Sequence, residues 1–150
     1  MFTCDDVKAC LAGIKLPKVI LAEELGSLVY MTTDGVTYPL ASFTIPANDY
    51  DHIMIFMEVY FNGTASVTDV SEVITSINLS GNDVALRWRE QYLPIDKNIY
   101  FTIPTTCRIP DTVNWKAGLT VTPAAVKYLL KDARGRLLSL QAIGFYDAPW

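Results

Sequence analysis

The chain has 150 residues, enough for a single domain with a substantial core. Only 19% of them are charged and 51% are hydrophobic, so the folded domain has little polar surface, and part of its apolar surface is expected to meet another molecule. A net charge of −4 argues against nucleic acid as a partner, because displacing counterions from phosphates needs a basic patch; the densest basic group, Lys127, Lys131, Arg134 and Arg136, reads as a solvated face.

Three cysteines, Cys4, Cys10 and Cys107, cannot all pair within the chain, and with His52 as the only histidine they fit no zinc pattern. Free thiols and the acidic start Met1-Phe2-Thr3-Cys4-Asp5-Asp6, where a signal peptide would be basic, point to synthesis in a cytoplasm. No apolar run reaches the ~18 residues of a membrane span. No cofactor, nucleic acid or membrane is expected as a partner.

Thr3-Cys4-Asp5-Asp6 is a capping box and starts a short helix that runs to about Ala12, with Gly13 as its stop. Pro17 prevents helix through the next segment, and the apolar run Val19-Ile20-Leu21-Ala22 reads as an extended arm suited to gripping a neighbour, or else to packing on its own domain. Residues 1–25 are therefore read as helix and arm, and 26–150 as the folded domain. Leu28 to Thr32 and Val36 to Tyr38 flank Asp34-Gly35, a strong hairpin signal. Phe43-Thr44-Ile45 alternates and stops at Pro46, and Asn48-Asp49-Tyr50-Asp51 is a turn.

From His52 to Ile103 the chain reads as four strands. His52 to Tyr60 is rich in β-branched and aromatic residues and is expected to end at Asn62-Gly63, with residues 60–70 as an exposed loop. Val73 to Leu79 follows and stops at Ser80-Gly81-Asn82-Asp83. Val84 to Arg89 places Val84, Leu86 and Trp88 on one face, with Trp88 in the core. Ile99 to Ile103 closes at Pro104. Residues 104–116 read as a long return across one end of a sandwich. In the last third, Thr122-Pro123 followed by Ala124 to Lys131 fits a capped helix. It fits equally a hairpin of Val126 to Lys131 and Arg136 to Phe145 around Asp132-Ala133-Arg134-Gly135, and the hairpin is preferred. Short β-rich runs between Gly, Pro, Asn and Asp, at roughly 8–12-residue spacing, make the fold mainly β: a sandwich with jelly-roll-like long returns, a short N-terminal helix and an extended arm.

No catalytic residue is assigned. Asp49, Asp51 and His52 make a metal loop conceivable, but it lacks the ligands and bend glycine of a calcium site, and a strand-initiating turn explains them. A Cys107–His52 pair would need an activated thiol, and a glycosidase would need two facing carboxylates; neither arrangement is visible in sequence. An unrecognised hydrolase is therefore the remotest reading. Tyr50, Tyr92, Trp115 and Trp150 are the aromatics not forced into strands. Tyr50, Tyr92 and Trp115 are the candidate glycan contacts of a carbohydrate-binding or host-recognition module. On that reading Trp115→Ala abolishes glycan binding without changing the melting temperature.

The order Phe43-Thr44-Ile45-Pro46, the strand from His52, Val73 to Gly81, Leu86-Arg87-Trp88, then Ile99 to Ile103 resembles jelly-roll β-sandwich virion proteins of tailed phages, namely capsid cement (decoration) and tail-associated proteins. The resemblance covers about 60 residues and lies in strand rhythm. It implies a virion-associated structural protein that homo-oligomerises, as a trimer by preference, and binds a larger shell such as a major capsid protein. Phe2, Val19, Ile20, Leu21 and Trp150 are the candidate assembly contacts.

Overall fold

Alternation of apolar and polar residues builds the longest strands, because successive side chains of a strand point to opposite faces. The computed structural model describes residues 3–12, 15–24, 26–65, 71–79, 84–92 and 98–148, and side chains within these except at 9–12, 24, 84–92, 98 and 99. Helix α1, Cys4–Ala12, is capped as the sequence indicates: Thr3 N donates to Asp6 Oδ2 at 2.7 Å and Asp6 N donates to Thr3 Oγ1 at 3.2 Å. Ten strands follow among the described residues: β1 (Lys18–Glu24), β2 (Val29–Met31), β3 (Tyr38–Pro39), β4 (Phe43–Ile45), β5 (His52–Ala65), β6 (Ser71–Leu79), β7 (Val84–Tyr92), β8 (Asn98–Arg108), β9 (Leu119–Tyr128) and β10 (Leu130–Phe145).

They form two antiparallel sheets. Sheet A has the order β1-β10-β5-β8, with β2 also on β10; sheet B has β3-β9-β6-β7, with β4 also on β9. Because β1 and β2 share one partner and β3 and β4 share another, the ten strands act as eight, four to a sheet. Strands consecutive in the chain mostly lie in opposite sheets, the layout of a jelly-roll sandwich. In β5, Ile53, Ile55, Met57, Val59 and Phe61 face inward. They meet Leu137, Leu140 and Ala142 of β10, and Val73, Ile77, Leu79, Val121 and Ala125 of sheet B, in one core. Phe61 stacks on Phe101 at 5.4 Å.

Several expectations are corrected. The run 18–24 takes the second of its two expected roles and packs on its own domain: β1 pairs with β10 as an edge of sheet A, with a register shift between Val19 and Leu21. Asp34-Gly35 does make a turn, but its flanking strands diverge, β2 to sheet A and β3 to sheet B, so no hairpin forms. The C-terminal segment is neither helix nor hairpin. β9 belongs to sheet B and β10 to sheet A, and Leu129 alone joins them, in the left-handed region (φ 55°). Asp132 to Gly135 lies within β10, where a register shift between Lys131 and Arg134 accommodates the extra residues.

Asn62-Gly63 does not end β5, which runs on to Ala65. Gly63 is required because a Cβ there would run into Leu130. Pro104 does not end β8 either, and is tolerated because β8 is a sheet edge. The return across the sandwich end therefore begins only after Arg108. β6 and β7 form a true hairpin pair from Leu79 opposite Val84. Gly13, residues 66–70 and 80–83 and the Trp88 side chain lie outside what is described.

The two ends of the sandwich are closed differently. At one end the Asp34-Gly35 turn clasps the Leu129 corner. Lys127 Nζ lies 2.6 Å from Asp34 Oδ1, Leu129 N donates to Asp34 Oδ2 at 3.3 Å, and Gly35 N donates to Lys127 O at 3.1 Å. Lys127, expected on a solvated face, is buried there. Asp34 pairs it there, and the Lys127 ammonium, bonded to the Asp34 carboxyl, holds that carboxyl below its usual range. At the other end Trp115 and Tyr50 fill the corner beneath residues 109–118.

Candidate functional site

The aromatics expected to lie open in loops are the first test of a binding module. Trp115 is only 6% exposed and its indole N–H donates to Tyr50 O at 2.9 Å. Tyr50 is 8% exposed, and its ring covers Gly144 so closely that a Cβ there would fall within the ring. Neither has an open face on which a sugar could stack, which corrects both as glycan contacts. No strand pattern claims either ring; long-range packing does, Tyr50 against Gly144 of β10 and Trp115 through its bond to Tyr50 O. The Tyr92 side chain lies outside the described residues.

The turn before β5 is as expected. Asn48 Oδ1 accepts from Tyr50 N at 3.2 Å, and its Nδ2 donates to Pro46 O at 2.9 Å and to Trp115 O at 3.1 Å. Beside it lies a chain of charged contacts. Arg108 Nη2 donates to His52 Nδ1 at 2.8 Å and to Asp111 Oδ1 at 2.8 Å, while His52 Nε2 meets Asp147 Oδ1 at 2.6 Å. A guanidinium can only donate, so Nδ1 is the acceptor and Nε2 carries the proton toward Asp147. Tyr146 donates to Asp49 at 2.8 Å, a bond that holds the Asp49 carboxyl low and pushes the Tyr146 phenol up to about 12. These contacts tie the C-terminal end of β10 to the turns around it. No group of three metal-ligating side chains occurs among the described residues.

Cys107 is opposite Ile55 and shares its inward parity, whereas His52 lies on the outer parity of β5 with Met54. Burial pushes the Cys107 thiol up to about 11. A nucleophilic cysteine needs its thiolate near neutral pH, so the Cys107–His52 pairing has neither the geometry nor the ionisation. Among the described residues no helix is long and apolar enough to cross a membrane.

The surface with chemistry to offer is the outer face of sheet A. Register places Val19, Ile143 and Met54 in one cross-strand row, with Phe56 in the next. Val19 is 49% exposed, Phe56 is also exposed, and Met54 and Ile143 are half-buried. Of the candidate assembly contacts, Ile20 and Leu21 are half-buried against the core and Val19 lies in this row, while Phe2 and Trp150 lie outside the described residues.

The sequence matches no protein-family model and no curated protein. Solved structures are similar in fold. The chain is similar to infectious bursal disease virus, Gt strain, with TM-score 0.56 and 14% identity over 89% of this chain and 34% of the other. It is similar to the VP2 subviral particle of the same virus with TM-score 0.56 and 16% identity, over 87% and 33%. For the T13 viral particle the values are 0.55 and 14%, over 87% and 31%. What they share with this chain is the fold. The chain spans about a third of the length of each.

Proposed function

We propose that this chain is a structural virion-type protein that self-associates, as a trimer by preference, and binds a larger shell such as a major capsid protein, in the manner of a cement or decoration protein. The observation that supports this best is the apolar row Val19–Ile143–Met54 with Phe56, on the outside of a sandwich whose fold is similar to that of viral capsid proteins. Apolar side chains clustered on an outer sheet face mark a surface that another molecule covers. Phe2 and Trp150 remain further contacts on this reading.

The test is the mass of the purified chain in solution, by light scattering on a sizing column. Deleting residues 1–25 is unsuitable, because it removes β1 from its own sheet. Val19→Asp with Phe56→Asp is the appropriate variant. The wild type should elute as a closed oligomer and the variant as a folded monomer. A wild type monomeric at every concentration tested would reject the assembly reading.

A further inference from the structure

Beyond the apolar row, toward the Leu129 end of sheet A, two neighbouring cross-strand rows bring together residues from four strands. Register places Tyr30, Arg134, Asn62 and Tyr100 in one row, and Arg136, Tyr60 and Thr102 in the next. Tyr30 is 58% exposed and Tyr100 65% exposed. The Arg134 guanidinium lies over the Tyr30 ring at 5.0 Å, and Asn62 donates to the Tyr60 hydroxyl at 3.2 Å. Arg134 Nε and Arg136 Nε are both buried without a hydrogen-bond partner. Neither arginine makes an ion pair among the described residues. A hollow of about 220 Å³ opens between Asn62, Gly63, Tyr100, Asp132 and Arg134. Tyrosine and arginine are the residue types that dominate binding energy at protein interfaces. Two guanidinium groups without an ion pair, that of Arg134 lying over a tyrosine ring, call for carboxylates.

The chain carries such a ligand. The first turn of α1 holds Asp5 and Asp6, and residues 3–8 are all exposed. Asp6 uses Oδ2 for the cap, while Asp5 has no partner among the described residues. A nine-residue helix does not persist in water without docking. The two carboxylates outweigh the roughly half positive charge of the helix end. The chain enters sheet A at Lys18, opposite Gly144, and ten residues of β10, about 33 Å, separate Gly144 from Arg134. The helix itself is about 14 Å long. Even with the six steps from Ala12 to Lys18 fully stretched, at most about 20 Å, the first turn meets its own arginine rows only if the helix lies straight along the sheet, whereas a neighbour's rows need no such alignment.

We propose that these two rows receive the acidic first turn of helix α1 from a second copy of this chain, with Asp5 and Asp6 paired to Arg134 and Arg136. The proposal rests on the self-association reading above and names its contact. The test uses the full chain. Arg134→Glu with Arg136→Glu, and separately Asp5→Lys, which leaves the Thr3–Asp6 cap in place, should each weaken self-association roughly tenfold or more. Tyr100→Ala, at an exposed position, should weaken it too. Circular dichroism of each variant should match the wild type. Mixing the two charge-reversed chains should restore contact between unlike chains, because a lysine-bearing helix then meets a glutamate-bearing face.

An assembled wild type whose association none of these variants changes would overturn the contact and leave the assembly reading standing. Loss in the arginine variant alone would overturn the helix as occupant. A wild type that is always monomeric would overturn both readings.

Discussion

Replacing Trp115 by alanine separates a corner residue from a surface ring. The indole is almost fully buried, its N–H is bonded to Tyr50 O, and the Trp115 carbonyl accepts from both Asn48 Nδ2 and Gly118 N. Truncating a buried tryptophan costs about 3–5 kcal/mol, part of it the cavity and part the stranded Tyr50 carbonyl. In a domain of this size each kcal/mol moves the melting temperature by about 2–4 °C, so Trp115→Ala should melt some 6–20 °C lower. Trp115→Phe keeps a six-membered ring in the corner but loses the N–H and the rest of the indole, and should cost about 1–3 kcal/mol. The assay is thermal unfolding followed by circular dichroism, with the two variants beside the wild type. A residue acting only at the surface stays within about 0.5 kcal/mol. If Trp115→Ala melted with the wild type, the placement of Trp115 in the core would be wrong and its role as an exposed contact would be open again.

Gly144→Ala should destabilise by about 3 kcal/mol or abolish soluble expression, because its Cβ would occupy the Tyr50 ring and overpacking at a fixed corner has nowhere to relax; a melting temperature equal to the wild type would refute it. Thr75→Val should stabilise by about 1 kcal/mol, raising the melting temperature by about 2–4 °C, since the Thr75 hydroxyl is buried without a hydrogen-bond partner; calorimetry showing a loss instead would reveal a partner for that oxygen. Asp34→Asn should cost about 1–2 kcal/mol at neutral pH, between a surface and a buried ion pair because Asp34 is partly exposed. The folded Asp34 carboxyl is held below its ordinary value, so its contribution is present above the unfolded value of about 3.9 and disappears as pH falls through the folded one. Denaturant titrations should therefore show wild type and Asp34→Asn converging in strong acid, and a gap independent of pH would refute the linkage.

The strands of this fold were legible wherever one face is buried. Alternation in 52–60 and 73–79, the capping box at Thr3 and Asp6, and the Asn48 turn are local features, and local chemistry decides them. The hairpins at Asp34-Gly35 and at 132–135 were misread for the opposite reason. A turn motif fixes the reversal of the backbone but not the partner of the strand that leaves it. In a jelly roll that partner generally lies in the other sheet. Gly63 and Pro104 misled in a related way. Each has the chemistry of a strand stop, yet one makes room for Leu130 and the other sits on an edge where a missing N–H does no harm.

The same distinction explains why the outer face of sheet A could not be seen beforehand. Period 2 does place Arg134 with Arg136, Tyr60 with Asn62, and Tyr100 with Thr102, each pair on one side of its strand. Nothing local makes β10 the neighbour of β2, β5 and β8 at once, and only that neighbourhood turns three tyrosines and two arginines into one surface. It also explains why the basic run 127–136 was read as a single solvated face. The crossing at Leu129 and the shift before Arg134 divide it: Lys127 turns inward to Asp34, while Arg134 and Arg136 are left on the outer face with buried nitrogens unpaired. Burying a charge is tolerable only when it is paired. Inside the domain the pairing is complete at Lys127; at the two arginines it is what the proposed contact with a second copy would supply.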